Sequence, residues 1–267
     1  MKKKTQSRKV TISIACLNKL EFTKQCLKAL QENTNPELFA LNIIDNASDD
    51  GTFKFLKDEL PNWPLFKKVP VTVMRNQENL GFARAHNMSF VESKSPYFLL
   101  LNNDTVPLKG WLEPLIEILD SKLNVAVVGS KLLSPIINGI QHAGVAFEDG
   151  IPKHQYFGMP EDFPLANIGR YVPSVTGALM LVRGEVFEKL GRLDTHYRNG
   201  WEDTDFNMKV RKSGLDIYYE PRSVAYHYEG QTDGRLNHDD SNRELFFSRW
   251  MRDTREWGNK IRIGDPA

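Results

Sequence analysis

Short apolar runs alternate with amphipathic segments along the first half of the chain. The apolar runs, which are rich in β-branched and aliphatic side chains, occupy residues 10–15, 41–45, 71–76 and 97–104. Segments with the i, i+4 apolar spacing of a helix follow them at residues 21–31, 53–60, 83–93 and 111–121. Strands that alternate with helices in this order predict an α/β domain whose mostly parallel sheet is covered on both faces.

The pattern changes after a further apolar run at residues 125–133. Residues 134–172 contain many Gly, Pro, His and aromatic positions and only short extended pieces, which predicts loops and a small sheet. We expect residues 136–171 to form part of an acceptor-binding side. Regular patterns return with strands predicted at residues 174–184, 215–221 and 223–230, and with a charged helix predicted at residues 242–257.

Composition narrows the class of protein. The 267 residues are 40% hydrophobic, enough to build a core, and 35 Lys and Arg nearly balance 34 Asp and Glu. This balance leaves no overall field that would attract nucleic acid, so no nucleic-acid partner is expected. Cys16 and Cys26 belong to a predicted strand end and a predicted helix, and this favours a reducing, cytoplasmic compartment over a disulfide framework.

The N-terminal residues 1–9 are basic but lack the apolar core of a signal peptide. No run of about 18 apolar residues predicts a membrane-spanning helix. We therefore expect a disordered basic tail and no transmembrane segment. Contact between this tail and an acidic membrane surface would be weak and peripheral.

Polar residues gather where the predicted parallel strands end, which is where α/β sheets bind their ligands. Asp104 ends the fourth strand, and Asn102 points to the same side because strand side chains alternate. Such oxygen donors, together with substrate phosphates, suit Mg²⁺ or Mn²⁺, although Asp104 could also cap an Asx-turn. His227 ends a late apolar strand and is either a packed core residue or a further metal ligand.

Two other strand ends are candidates for nucleotide contacts. Asp45 ends the second strand, where its carboxylate either accepts bonds from a base or ribose or stabilises the following turn. Gly81 lies where a loop enters a helix. Exposed N–H groups at that helix start would suit a phosphate or nucleoside, whereas the alternative is a plain tight turn.

The segment WEDTDF, residues 201–206, places three carboxylates at a predicted helix start near Asp203. One carboxylate there would satisfy the helix dipole. The excess of Glu202, Asp203 and Asp205 next to an aromatic residue and a flexible Asn–Gly pair predicts that one of them faces a substrate. A general base must lie within hydrogen-bonding reach of the attacking hydroxyl.

The motifs, taken in order, resemble the family 2 glycosyltransferases from about residue 10 to about residue 230. They read VTISIACLN, IIDNASDDGT, NLGFARAHN, LLLNNDT, TGALMLVRGEVFEKLGRLD and WEDTDFNMKVRKSG. The resemblance implies the GT-A fold, a mostly parallel central sheet flanked by helices with a small additional antiparallel sheet. It also implies an inverting transfer of sugar from a nucleoside-diphosphate-sugar to an acceptor hydroxyl, in bacterial glycan or glycoconjugate synthesis. The late segment NRELFFSRW is only loosely similar to the Q-x-x-R-W element of processive members, which favours the addition of one sugar at a time.

The resemblance also implies residue roles. Asp203 matches the catalytic base, and Glu202 either assists it or binds the acceptor. Trp201 and Gly177 are expected to bind the acceptor. Asp104 and His227 match ligands of Mn²⁺ or Mg²⁺, with a weaker contribution from Asn102. The expected nucleotide-sugar contacts are Ala15, Cys16, Leu17, Asn18, Asp45, Gly81, Asn87, Asn103 and Asp104.

The sequence departs from the family pattern at three positions. Asn102 replaces a frequent first aspartate, Leu17 replaces a tyrosine that stacks on the base, and His86 replaces a frequent arginine. A UDP- or dTDP-sugar is the expected donor, and the acceptor is expected to be a glycan, a lipid-linked glycan or a protein.

The expected domain division follows the same resemblance. Residues 10–235 form the catalytic domain, with a nucleotide-sugar-binding half at 10–133 and an acceptor-binding half at 134–235, and residues 236–267 form a helical extension. Two alternatives remain open. A glycoside hydrolase would also use paired carboxylates, without needing a metal motif, and a non-catalytic sugar- or nucleotide-binding module could share the fold.

Overall fold

The computed structural model describes residues 8–230 and 238–258. Most of the basic tail predicted at residues 1–9, and with it the expected membrane contact, therefore lies outside the described residues. The same holds for residues 231–237, which include the end of the predicted catalytic domain, and for residues 259–267 of the predicted extension.

The described residues form one large sheet, a two-stranded sheet and surrounding helices. The strands are β1 (Val10–Cys16), β2 (Phe39–Asp45), β3 (Val71–Arg75), β4 (Tyr97–Asn102), β5 (Thr105–Pro107), β6 (Val125–Ser134), β7 (Gly139–His142), β8 (Val145–Glu148), β9 (Ile151–His154), β10 (Arg170–Tyr171), β11 (Leu179–Arg183) and β12 (Asp216–His227). The α-helices are α1 (Leu20–Asn33), α2 (Thr52–Lys54), α3 (Gly81–Val91), α4 (Leu112–Ser121), α5 (Gly184–Lys189), α6 (Glu202–Lys212) and α7 (Asp239–Gly258).

The central sheet is mostly parallel, and this confirms the predicted α/β class. Its strand order is β10-β12-β6-β11-β4-β1-β2-β3, with β5 on β12 and β7 on β6. Strand β11 is antiparallel to both β4 and β6, so those two neighbours run in the same direction. Strands β8 and β9 form the small additional antiparallel sheet.

The central strands read as continuous apolar runs because helices cover both faces of the sheet. In β4, Leu99 and Leu101 enter the core on one face, and Phe98 and Leu100 enter the core on the other. All four side chains are fully buried. The alternation follows from the two-residue period of a strand.

Three predicted elements differ from those observed. The helix predicted at residues 53–60 is a single α-turn, α2, followed by a π-helical turn and a 3₁₀ turn. Pro61 lies in the 3₁₀ turn and has no N–H to donate, so an α-helix cannot continue through it. The strands predicted at 215–221 and 223–230 form one strand, β12, with a register shift between Glu220 and Val224. The terminal helix starts three residues before the predicted position.

The topology brings the ends of distant strands to one edge of the sheet. Strands β1, β2, β4, β6 and β12 run in the same direction, so Cys16, Asp45, Asn102 and His227 end their strands at the same edge. The pairing of β4 with β11 joins the two predicted halves of the catalytic domain in one sheet. Their separate binding roles stay a prediction. Among the described residues no helix is long and apolar enough to cross a bilayer.

Candidate functional site

A cavity of about 350 Å³ opens at this edge of the sheet. Both Asp104 and Asp203, which are separated by 99 positions in the chain, line it. The predicted site residues that line it are Ala15, Cys16, Leu17, Asn102, Asn103, Asp104, Gly177, Trp201, Glu202, Asp203 and His227. Four further predicted residues, all within the described ranges, lie outside the lining: Asn18, Asp45, Gly81 and Asn87.

Asp104 and His227 lie next to each other on the β4 side of the cavity. Oδ1 of Asp104 lies 3.2 Å from Nε2 of His227, and Nδ2 of Asn102 also lies 3.2 Å from that nitrogen. Oδ1 of Asp104 is buried and makes no hydrogen bond within the part of the chain that the structure describes. Buried acceptors are normally satisfied, so this oxygen is a site for a missing partner.

The turn after β4 does not depend on the Asp104 carboxylate oxygen that faces His227. The Thr105 hydroxyl donates to the Asn102 carbonyl at 2.7 Å, and the Tyr228 N–H donates to the Asp104 carbonyl at 3.1 Å. Backbone and hydroxyl groups therefore close this turn, and Oδ1 of Asp104 is left for the cavity.

Asp104 and His227 suit a hard divalent cation whose other ligands come from a substrate. No group of three or more His, Cys, Asp and Glu side chains in a metal-binding arrangement occurs in residues 8–230 and 238–258. Asp104 and His227 supply two such ligands, and Mg²⁺-type sites commonly use one or two carboxylates together with substrate phosphates. These two protein ligands thus suit a cation that binds together with a diphosphate.

Asp203 lies in the first turn of α6 and lines the same cavity as the loop after β4. Its Oδ2 accepts the N–H of Gly177 at 2.7 Å, and its Oδ1 accepts the N–H of Thr204 at 2.7 Å. Trp201, immediately before the helix, has a left-handed backbone with φ of 75°. These contacts hold the carboxylate in one orientation at the cavity wall.

The other two carboxylates of the acidic segment have separate roles. Glu202 is buried, and its Oε2 accepts the N–H of Gly200 at 2.7 Å, which stabilises the turn into α6. Asp205 is fully buried and accepts the indole N–H of Trp250 at 2.8 Å. Asp205 therefore ties α6 to α7. Glu202 and Asp203 both line the cavity, and Asp203 is the more exposed of the two.

The model of the family described as glycosyl transferase family 2 matches residues 11–191. The match covers most of the chain, including the loop that carries Asp104. The chain belongs to glycosyl transferase family 2. Its RfbC relative from Myxococcus xanthus, an O-antigen biosynthesis protein, is 26% identical over 229 residues, which are 83% of this chain and 17% of RfbC. This chain thus spans about a sixth of that relative.

Two solved glycosyltransferase structures share the fold of this family 2 member. The mannosyltransferase PcManGT from Pyrobaculum calidifontis, in complex with GDP-Man and Mn²⁺, has a TM-score of 0.68 at 17% identity, covering 93% of this chain and 66% of PcManGT. GalNAc-T7 with UDP, GalNAc and Mn²⁺ has a TM-score of 0.70 at 17% identity, covering 97% of this chain and 52% of that protein. At this identity the likeness establishes the GT-A fold.

In this family 2 domain the end of β1 forms the floor of the predicted nucleotide side. Ala15, Cys16 and Leu17 line the cavity there. Burial raises the pKa of the Cys16 thiol to about 12, so the thiol stays protonated and packs as an apolar group. Asp45 pairs in register with Cys16 but is fully buried behind it, 3.6 Å from Nε of Arg75. Its expected contact with a base or ribose stays a prediction.

Asn18 and Asn87 use their amides to join backbone segments. Oδ1 of Asn18 accepts the N–H of Asp49 at 2.8 Å, which ties the loop after β1 to the loop after β2. Asn87 donates to the carbonyl of Leu193 at 2.8 Å and accepts its N–H at 3.1 Å. Their predicted nucleotide-sugar contacts stay predictions, and these bonds explain why neither side chain lines the cavity.

Two N–H groups at the start of α3 are bonded to side-chain amides, and the predicted nucleotide contact at Gly81 stays a prediction. The N–H of Gly81 donates to Oδ1 of Asn79 at 2.9 Å, and the N–H of Phe82 donates to Oδ1 of Asn199 at 3.2 Å. The glycine is needed for the turn itself, since its φ is +76°. A phosphate contact at Gly81 would have to displace a side-chain amide.

His86 does not replace the positive charge of the arginine that the family often carries at this position. Its Nδ1 lies 2.7 Å from the Ser13 hydroxyl, and burial lowers its pKa to about 3. The ring is therefore neutral and packs on β1 beneath α3.

Several cavity residues were missed in the sequence. Asn46 and Asn79 lie in strand-end loops, joined by a 2.7 Å bond between their amides, and their positions could have identified them. Gln141 and Glu229 carry no local signal, because only the pairing of β7 with β6 and of β6 with β12 brings them to the cavity.

Proposed function

We propose that this chain is an inverting glycosyltransferase that moves one sugar from a nucleoside-diphosphate-sugar to an acceptor hydroxyl, assisted by a divalent cation. The observation that carries the proposal is the joint lining of one cavity by Asp104, His227 and Asp203. A hard-cation donor pair and a fixed carboxylate on one cleft are the two groups that such a displacement requires.

Asp203 acts as the general base in this proposal. The acceptor oxygen bonds to the anomeric carbon as the bond from that carbon to the diphosphate oxygen breaks, and the hydroxyl proton goes to Asp203. The N–H groups of Gly177 and Thr204 hold the carboxylate in place before the acceptor arrives. Attack on the face opposite the leaving group inverts the configuration at that carbon.

Asp104 and His227, with a weaker contribution from Asn102, would hold Mn²⁺ or Mg²⁺. When bound, such a cation neutralises the charge that grows on the leaving diphosphate. The Mn²⁺ in the PcManGT and GalNAc-T7 complexes supports this choice of cation for this fold. The unbonded Oδ1 of Asp104 supports the position of the site.

The proposed sugar donor is a nucleoside-diphosphate-sugar, and UDP- and dTDP-sugars are the first to test. The acceptor, a glycan, a lipid-linked glycan or a protein, would enter beside Trp201 and Gly177, which line the cavity next to Asp203. The similarity to RfbC supports a place in bacterial polysaccharide synthesis. Two buried, unbridged cysteines suit a cytoplasmic location.

The test is turnover of a panel of UDP-, dTDP- and GDP-sugars with Mn²⁺, followed by NMR of the anomeric configuration in the product. We expect inversion with at least one donor. Asp203→Asn and Asp104→Ala should each reduce turnover by about 10² or more, the usual scale of acid–base and electrostatic contributions. Glu188→Gln is the matched control, because Glu188 pairs with Arg192 at the surface away from the cavity.

Each alternative has its own outcome in the same experiment. Release of free sugar from an oligosaccharide without any nucleotide donor would identify a hydrolase. Tight donor binding with no turnover in any acceptor panel would identify a binding module. Near-wild-type turnover in Asp203→Asn would remove the proposed base.

A further inference from the structure

Gln141 joins the side chain of His227 to that of Glu229. Its Oε1 lies 2.7 Å from Nδ1 of His227, and its Nε2 lies 2.6 Å from Oε2 of Glu229. Gln141 is buried on β7, in the region from which the sequence predicted acceptor contacts. The structure brings it next to His227, the neighbour of Asp104 in the cavity.

The chemistry of the three side chains sets the direction of both hydrogen bonds. A carboxylate only accepts, so the NH₂ group of the Gln141 amide must face Glu229. Oε1 of Gln141 therefore faces His227. Because an amide oxygen also only accepts, the bonded proton lies on Nδ1 of His227.

The opposite ring nitrogen then carries a lone pair when the imidazole is neutral. That atom, Nε2, faces Oδ1 of Asp104 at 3.2 Å, and the amide of Asn102 can donate to it at 3.2 Å. Two acceptors that face each other at this distance repel. The separation would suit two ligands of one divalent cation, which would relieve this repulsion when bound.

We propose that Gln141 is a positioning residue, oriented by Glu229, that keeps the proton of His227 on Nδ1 and so presents Nε2 to the cation shared with Asp104. The use of this arrangement for a cation rests on the proposed function. The tautomer itself does not, and it can be measured without metal or substrate. Hydrogen-bonded partners of this kind commonly fix the ring orientation of metal-binding histidines.

The direct test is NMR of protein labelled with ¹⁵N-histidine, at about pH 8.5 and without metal, where an ordinary histidine is neutral. The nitrogen shifts and couplings of His227 distinguish its two tautomers. We expect Nδ1–H in the wild type. In Gln141→Leu the proton should move to Nε2, where it can donate to Oδ1 of Asp104.

A charge-swapped double variant, Gln141→Glu with Glu229→Gln, tests the hydrogen bonds that link Glu229, Gln141 and His227 rather than the packing of residue 141. The carboxylate introduced at position 141 would still accept from Nδ1, and the amide introduced at position 229 would donate to it. The Nδ1–H tautomer should return. The matched control is Gln25→Leu, since Gln25 is exposed and lies 3.2 Å from the Tyr228 hydroxyl rather than near the His227 ring.

Titration with Mn²⁺ alone, followed by EPR of the free ion, gives the second readout. Gln141→Leu should bind Mn²⁺ about 10- to 100-fold more weakly than wild type, the usual cost of losing such a partner. The double variant should recover most of the affinity. Gln25→Leu should bind as the wild type does.

The outcomes separate this inference from the proposed function. An Nε2–H tautomer in the wild type, or an unchanged tautomer in Gln141→Leu, overturns the role of Gln141. If the wild type has the Nδ1–H tautomer but Asp104→Ala binds Mn²⁺ as the wild type does, the role of Gln141 is supported and the proposed metal site is overturned. Should Gln141→Leu fail to fold, Glu229→Gln alone is expected to give a mixture of tautomers, and a single Nδ1–H form there would contradict the role of Glu229.

Discussion

The backbone N–H of Gly177 donates to Oδ2 of Asp203 at 2.7 Å. The loop before β11 thus holds the candidate base on α6 from a position 26 residues earlier in the chain. A Cβ atom built on Gly177 would lie 3.0 Å from Cβ of Asp203 and 3.4 Å from Cζ of Phe82. The close approach leaves no room for a side chain between the loop and the carboxylate.

Gly177→Ala should therefore displace Asp203 by a few tenths of an ångström or more and lower kcat. We expect a reduction of up to about 10-fold, because misplacement of a catalytic group by about 1 Å costs about 10² in rate and a shift of a few tenths of an ångström costs less. Donor affinity, measured by calorimetry, should be retained, since the nucleotide side is untouched. Unchanged kcat would mean that the carboxylate does not act from its observed position.

Asp203 and Asp205 should separate activity from stability. Asp205→Asn removes the buried charge that pairs with Lys209 at 3.0 Å and Arg249 at 3.3 Å, and it should lower the free energy of unfolding by about 1–3 kcal/mol. Asp203→Asn should cost about 10² or more in turnover with a much smaller loss of stability. Urea unfolding and turnover of both variants give the comparison, and the reverse pattern would exchange the two assignments.

Asn242 of α7 should matter for turnover although it does not line the cavity. Its amide accepts the N–H of Arg198 at 3.1 Å and donates to the carbonyls of Arg198 and Gly200 at 2.8 and 3.1 Å. Asn242→Ala should loosen the loop that leads into Trp201 and lower kcat by about tenfold, as small misplacements do. Ser241→Ala is the control, because its hydroxyl donates to the carbonyl of His238, just before α7.

Removal of divalent cations should abolish turnover in the wild type. Chelation followed by dialysis is expected to reduce the rate by about 10² or more, and added Mn²⁺ or Mg²⁺ should restore it. In Asp104→Ala restoration should require a higher cation concentration or fail. Full activity in the presence of excess chelator would contradict the proposed role of Asp104 and His227.

The low pKa of the buried His86 side chain predicts that the protein loses stability in mild acid. Burial lowers its pKa to about 3, whereas the unfolded chain has a histidine pKa of about 6.5. Between these values the unfolded state binds a proton that the folded state does not, so stability falls as the pH falls. Between about pH 8 and about pH 5.5 this histidine should contribute a loss of about 1.4 kcal/mol.

Urea unfolding at both pH values measures this dependence, and His86→Gln should make it shallower by about that amount. His142 contributes with the same sign, because burial holds its pKa well below the ordinary value. Equal pH dependence in the wild type and His86→Gln would show that His86 is accessible to protons in the folded state.

Much of the fold is legible in local patterns. The apolar runs at residues 10–15 and 41–45 lie within β1 and β2, and the helical spacing at residues 21–31 lies within α1. Periodicity and turn residues act over a few positions, so they can be read without knowledge of partners. The helix predicted at residues 53–60 shows the limit of spacing alone, since the structure has short α, π and 3₁₀ turns there, the last of which contains Pro61.

The sequence by itself determined the α/β class, the polar strand ends and the acidic start of α6, because each depends on neighbouring residues. Only the tertiary structure decided that Glu202 and Asp203 line the cavity whereas Asp205 ties α6 to α7. It also brings Gln141, far from Glu229 in the chain, within hydrogen-bonding distance of both Glu229 and His227. Such assignments depend on sheet register and long-range packing, which bring together groups that share no local pattern.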